Sequence, residues 1–245
     1  MLRRLALLAC VAAALTGCAD ASRRDVPPDI AVLFMGNSHT SYNHLPEMVA
    51  AMLRAARPGQ RVEAVEAPGW LFLEQRSRDA ASLALLHDRR WHFVVLQAQQ
   101  YSASGRTTDS TAGAESLIRA ARSVHAIPVL FPEWPRDGVP ETRRIYDLHR
   151  SIVRREPACV APVGQAWDLA RATYPDLLLH ASDGNHSAPA GAFLAALTLT
   201  AAITGTAPDA LPALPQFAVP VAVQSRLRQV AAQTVAAISP CPAGP

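Results

Sequence analysis

Short, continuously apolar runs alternate with longer amphipathic stretches along most of this chain. The runs at 31–35, 62–67, 93–96, 128–131 and 159–162 are rich in Val, Leu and Phe. That pattern predicts strands covered on both faces. Apolar residues recurring at helical spacing predict helices over 45–57, 73–87, 111–125 and 141–155, then over 165–173, 189–204 and 221–238. Five alternations of strand and helix argue an α/β fold, a parallel sheet with helices on both faces. No internal repeat or low-complexity segment interrupts it, and the proline-rich run 207–220 reads as a surface connection before the last helix. One domain, 30–245, is expected.

The N-terminus does not share this pattern. Residues 1–18, MLRRLALLACVAAALTGC, carry Arg3 and Arg4 ahead of a short apolar core that ends in small residues. They read as an export leader, too short in its apolar part to anchor in a bilayer by itself. The ending Leu15-Thr16-Gly17-Cys18 resembles the lipobox of bacterial lipoproteins. That resemblance implies a leader 1–17 removed before Cys18 and a lipid on the Cys18 sulfur, holding the protein to a membrane through acyl chains. Each buried methylene adds about 0.8 kcal/mol to such binding. The alternative is an ordinary secretory leader that happens to end in cysteine. Ala19 after Cys18 implies, by analogy with lipoprotein sorting, the periplasmic face of the outer membrane. Residues 18–29, polar and bearing Pro27-Pro28, form the tether.

Charge narrows the function. The net charge is +3, and it falls by two when Arg3 and Arg4 leave with the leader. So small an excess gives no argument for nucleic acid. All 23 basic residues are arginines, which excludes Schiff-base chemistry and the lysine-dependent phosphate loop. Of four cysteines, Cys10 departs with the leader and Cys18 is the lipidation candidate. Cys159 and Cys241 remain as an even pair in an oxidising compartment, either a disulfide fixing the C-terminal tail or two unpaired buried thiols.

The first apolar run stops at Gly36 and gives way to Asn37-Ser38-His39-Thr40-Ser41. In open parallel sheets functional groups gather beyond the carboxyl ends of strands, and Ser38 stands just there. Taken alone, a serine before a helix is an N-cap more often than a nucleophile. A hydroxyl becomes nucleophilic beside a base that is itself oriented by an acid. The stretch Asp183-Gly184-Asn185-His186, ahead of a nearly uncharged helix, offers both. Three positions apart on one turn, the carboxylate can fix the imidazole tautomer and leave the other nitrogen facing outward.

GNSHT resembles the first sequence block of the SGNH (GDSL-like) hydrolases, and DGNHSAPAGAFLAA resembles their last. The likeness extends over nearly all of 30–206, with Pro68-Gly69, Val94-Val95-Leu96-Gln97 and the run PVGQAW matching intermediate pieces. It implies a flavodoxin-like three-layer α/β/α sandwich with a five-stranded parallel sheet, and no cofactor. It further implies a Ser38–His186–Asp183 triad acting on carboxylic esters, with O-acetyl groups on carbohydrate as the expected substrate. The oxyanion hole would consist of the Ser38 and Gly69 N–H groups with a side-chain amide as third donor. Where the family usually has Gly-x-Asn-Asp, this chain has Gln97-Ala98-Gln99-Gln100. Gln97 is the first choice for the third donor, and Gln99 the alternative by simple offset.

Other features are weaker. His39 and His44 flank the serine and read as polar loop residues. His180, Asp183 and His186 form a His-x2-Asp-x2-His spacing that matches no established zinc pattern. Glu133-Trp134-Pro135 falls on the active face, Trp70 and Trp134 are candidates to stack on a sugar ring or pack in the core, and Arg143-Arg144 and Arg154-Arg155 read as solvated helix surface. Two further readings remain open: an O-acyltransferase on the same scaffold, and a non-catalytic envelope lipoprotein that binds glycans. A small-molecule or glycan ester, and a membrane through Cys18, are the expected partners.

Overall fold

The computed structural model describes residues 26–107 and 109–241. The leader, Cys18 and most of the tether lie outside the described residues.

Five strands, β1 (Ile30–Met35), β2 (Val62–Glu66), β3 (Phe93–Leu96), β4 (Ile127–Leu130) and β5 (Cys159–Val160), form one sheet in the order β2-β1-β3-β4-β5. All neighbours pair in parallel. Helices fill both faces, as the continuous apolar runs require. Within β1, Val32 and Phe34 enter one core with α2 (Leu45–Ala56), α7 (Val163–Thr173), α8 (Pro189–Thr204) and α9 (Val221–Ala237). Ala31, Leu33 and Met35 enter a second with α4 (Ala80–Asp88), α5 (Ala112–Ser123) and α6 (Thr142–Val153). A strand whose two side-chain sets both meet apolar partners has no polar positions to spare. α8 lies between α2 and α9 and is buried almost all round, which explains why no charge falls within it.

Two short helices complete the chain order, α1 (Ser38–Ser41) after β1 and α3 (Leu73–Arg76) after β2. α3 corrects an expectation, because the helix predicted over 73–87 is divided. Asp79 takes an extended conformation and its carboxylate caps α4 by accepting from the Ser82 N–H at 2.8 Å. A strong N-cap residue inside an amphipathic run starts a new helix there. The remaining boundaries lie within two residues of those expected. The chain order reverses between β1 and β3, the switch point where open α/β sheets bind ligands.

Candidate active site

β1 ends at Met35, and the chain turns through Gly36 and Asn37 into α1, whose first residue is Ser38. The Asn37 side chain caps this helix by accepting from the His39 N–H at 3.1 Å. The turn is tight. A Cβ on Gly36 would lie 2.1 Å from Thr40 Oγ1 and 2.6 Å from Gln97 Oε1, so only glycine fits.

The loop between α7 and α8 brings the other two side chains. His186 Nδ1 lies 2.5 Å from Asp183 Oδ2, and His186 Nε2 lies 2.9 Å from Ser38 Oγ. Asp183 Oδ1 accepts the N–H groups of Asn185 and His186, both at 2.9 Å. The His186 ring and these backbone donors hold the Asp183 carboxyl well below the usual carboxylate range. A carboxylate only accepts, so Nδ1 carries the proton and the bare Nε2 accepts from Ser38.

The meeting of segments 148 residues apart has visible causes. Asn43 donates to the Ser187 carbonyl at 2.7 Å, joining the segment after Ser38 to the histidine loop. Trp134 Nε1 donates to the Asn185 carbonyl at 2.8 Å, and the Asp137 N–H donates to Gly184 O at 2.8 Å. The segment leaving β4 therefore supports that loop from behind. Tyr42 stacks on the His186 ring with centroids 4.5 Å apart. His39, which read as a loop residue, is instead buried 5.2 Å from that ring. Burial, and then the charge of His186, pushes His39 down to about 4, so it stays neutral beside an imidazolium. His44 is exposed.

Gly69 follows β2 with φ +78°. Among the described residues its N–H and that of Ser38 donate to no other protein group, leaving both open to a ligand. The glutamines require a correction. Gln97 is fully buried: Oε1 accepts from the Asn37 N–H (3.0 Å) and from Thr40 Oγ1 (2.9 Å), and Nε2 donates to Glu133 Oε2 (2.6 Å). The Gln97 N–H still pairs with Met35 O, so the residue keeps strand geometry and its side chain braces the nucleophile turn from below. Gln99 is also buried, and Nε2 donates to the carbonyls of Gln100 and Ser110 at 2.8 and 2.9 Å. Gln99 has spent both its N–H groups, and the Gln97 amide, with one N–H bonded to Glu133, has no exposed surface from which to offer the other.

Glu133 thus ends a chain running from the nucleophile turn through Gln97. Removal from water pushes its carboxyl up to about 7, opposed by the bond from Gln97 and aided by the charge of Glu141. Between about 4.5, the ordinary value, and 7 the folded protein keeps a proton that the unfolded chain releases. Stability therefore falls as pH rises through that window. Glu133→Gln is expected to abolish this component: thermal midpoints measured from pH 4.5 to 8 should show wild type losing ground to the variant, and parallel curves would remove the ionisation of Glu133 from this account.

The other aromatic and histidine candidates separate clearly. Trp134 is buried and stacks on Trp167 with centroids 4.6 Å apart, whereas Trp70 is 66% exposed and donates from Nε1 to Ser41 Oγ at 3.0 Å. His180 Nε2 donates to Pro135 O at 2.8 Å, and no group of three His, Cys, Asp or Glu side chains among the described residues is gathered to hold a metal. Arg144 donates to the carbonyls of Ser102 and Ala103, so it ties down a loop. A cleft of about 590 Å³ behind the Asp183 loop, lined by Asp137, Arg171, Leu178 and His180, does not include Ser38. Asn43, Tyr42 and Arg76 were missed in the sequence. Arg76 carried a signal: a lone charge one turn after the buried Leu73 on an otherwise apolar helix face.

Comparison with known proteins bears on what this arrangement belongs to. No sequence-family model matches the chain, and neither does any curated protein. Among solved structures, a protein from Slackia heliotrinireducens described as a candidate SGNH hydrolase is 28% identical. The match covers 70% of this chain and 97% of that one, with a TM-score of 0.57. A protein of the DUF4886 family from Bacteroides uniformis is 14% identical, with 84% and 95% covered and a TM-score of 0.67; that likeness concerns the fold. The first likeness spans nearly the whole of the Slackia protein, and with the five-stranded parallel sheet flanked by helices it supports a carboxylic ester hydrolase. In fold the chain is similar to the SGNH hydrolases.

Proposed function

We propose that this protein is a serine esterase that cleaves carboxylic esters, with O-acetyl groups on carbohydrate as the favoured substrate. The observation that carries the reading is the unbroken chain Ser38 Oγ to His186 Nε2 and His186 Nδ1 to Asp183 Oδ2. Ser38 Oγ attacks the acyl carbon while His186 takes its proton, and the carbonyl π pair moves to oxygen. The resulting oxyanion accepts from the Ser38 and Gly69 N–H groups, each such donor being worth about 3 kcal/mol of barrier. Collapse expels the alcohol, which takes the proton from His186. Water then repeats the sequence on the acyl-enzyme and releases the acid. Asp183, charged throughout, holds the tautomer and stabilises the imidazolium.

The carbohydrate preference is supported by the rim. Trp70 and Tyr42 are both exposed; Tyr42 directly follows the helix that begins at Ser38, and Trp70 is joined to that helix by its hydrogen bond to Ser41 Oγ. Exposed aromatic faces suit the apolar face of a sugar ring. The leader and the Leu15-Thr16-Gly17-Cys18 ending support an exported, lipid-anchored protein, and a disulfide between Cys159 and Cys241 fits an oxidising compartment.

The test is incubation of the mature chain with p-nitrophenyl acetate, a panel of O-acetylated sugars and a fluorophosphonate. Turnover is expected, together with a mass increment confined to the peptide carrying Ser38. Labelling elsewhere, or no hydrolysis of any ester, refutes the assignment. Acyl transfer to an added sugar in preference to water would favour the transferase reading. For the anchor, wild type should partition to membranes and Cys18→Ser should not.

A further inference from the structure

Arg76 lies at the end of α3 with no exposed surface. Its Nη2 donates to Gly36 O at 2.7 Å and to Gly69 O at 2.6 Å; its Nη1 donates to Ser82 Oγ at 2.9 Å and to Pro68 O at 3.3 Å. Nε has no partner. Ser82 Oγ donates in turn to Asp79 Oδ2 at 2.7 Å, so that carboxylate is reached only through a hydroxyl. No carboxylate among the described residues forms an ion pair with the guanidinium.

A buried cation without a direct counter-ion is expensive, and an apolar residue of similar volume would serve packing better. What the guanidinium touches explains its presence. Gly36 and Gly69 belong to the two turns that hold the N–H groups of Ser38 and Gly69, the turns after β1 and β2. One planar fork bonded to both carbonyls fixes the separation of those turns, which a lysine point charge cannot do in the same way. The Pro68 carbonyl is the other half of the peptide unit whose N–H is that of Gly69. Donation to that carbonyl polarises the N–H and strengthens it as a donor.

We propose that Arg76 is a positioning residue for the oxyanion hole: it clamps the Ser38 and Gly69 turns at a fixed spacing and places a buried positive charge, in direct contact with no carboxylate, behind the two N–H groups that face the developing negative oxygen. The inference rests on the esterase reading above. Its effect belongs to the transition state, because the ground-state ester carries no charge there, so it acts on kcat more than on KM.

The experiment compares wild type with Arg76→Met and Arg76→Lys in p-nitrophenyl acetate hydrolysis, with competent sites counted by fluorophosphonate titration. Per titrated site, kcat should fall about 10- to 100-fold in Arg76→Met, below the loss typical of a direct donor, while KM stays within about threefold. Arg76→Lys should recover part of that loss. A purely structural role predicts fewer titratable sites, each with wild-type kcat, and that result overturns the inference while leaving the esterase reading intact. A wild type that turns over nothing overturns both. Should Arg76→Met not fold, Arg76→Gln, which keeps donors and removes the charge, carries the same expectation and the same overturning outcome.

Discussion

Replacing Ser38 by alanine removes ester hydrolysis almost completely, by about 10⁵-fold or more in kcat/KM, with the fold unchanged. Nothing else in the described structure can take its place: among the described residues the Ser38 hydroxyl is the only one that donates to His186 Nε2. His186→Ala has an effect of the same order, since an alcohol without its base is scarcely nucleophilic at neutral pH. The Ser38→Ala/His186→Ala double variant should be no worse than either alone, because the residues act as one unit. Asp183→Asn is milder, about 10²- to 10³-fold. The amide can present its NH₂ to Nδ1 and enforce the wrong tautomer, yet Asp183 is 47% exposed, and water can take over part of its role. p-Nitrophenyl acetate kinetics with far-UV circular dichroism and thermal midpoints on each variant decide the matter. Ser38→Ala retaining turnover within tenfold of wild type would place the chemistry elsewhere.

The parts of this arrangement that could be read in the sequence are those set by local rules. A strand covered on both faces must be apolar throughout, so β1 and its abrupt end at Gly36 were visible. So was the Asp183–His186 pair, because three positions on one turn suffice to join them. Gln97 was misread because its partners, the Asn37 N–H, Thr40 Oγ1 and Glu133, come from the segments after β1 and β4 and meet it only in the folded sheet. His39 was likewise opaque. A histidine four residues past a strand is polar by type, and only the packing of Trp134 and His186 around it makes it a buried, neutral one. Arg76 shows the limit more sharply. Its partners are four oxygens from three separate segments, so its role exists only after β1, β2 and α4 have come together.

Breaking the bond between Cys159 and Cys241 is expected to lower stability by about 2–4 kcal/mol and to leave the chemistry alone. The two cysteines stand 82 residues apart, and the entropy of closing a loop of that length sets an upper figure of about 4.5 kcal/mol on this contribution. The bond acts where the chain most needs it. β5 is the edge strand and has only two paired residues. After α9 the tail returns to that strand, and the Val160 N–H donates to Pro240 O at 2.6 Å. Loosening the tail therefore exposes the edge of the sheet and the adjoining face of α9, while Ser38 follows β1, which two intervening strands separate from β5 in the order β2-β1-β3-β4-β5. At about 2–4 °C per kcal/mol for a domain of this size, the thermal midpoint of a Cys159→Ala/Cys241→Ala variant should drop by about 5–15 °C. Reduced wild type should melt near the variant, and oxidised wild type should show no reactive thiol from this pair after denaturation. The kcat of the variant at 25 °C should stay within twofold of wild type. Equal midpoints for oxidised and reduced protein would remove the bridge as a source of stability, and a large loss of kcat at 25 °C would mean that the edge strand communicates with the nucleophile turn more strongly than the sheet order implies.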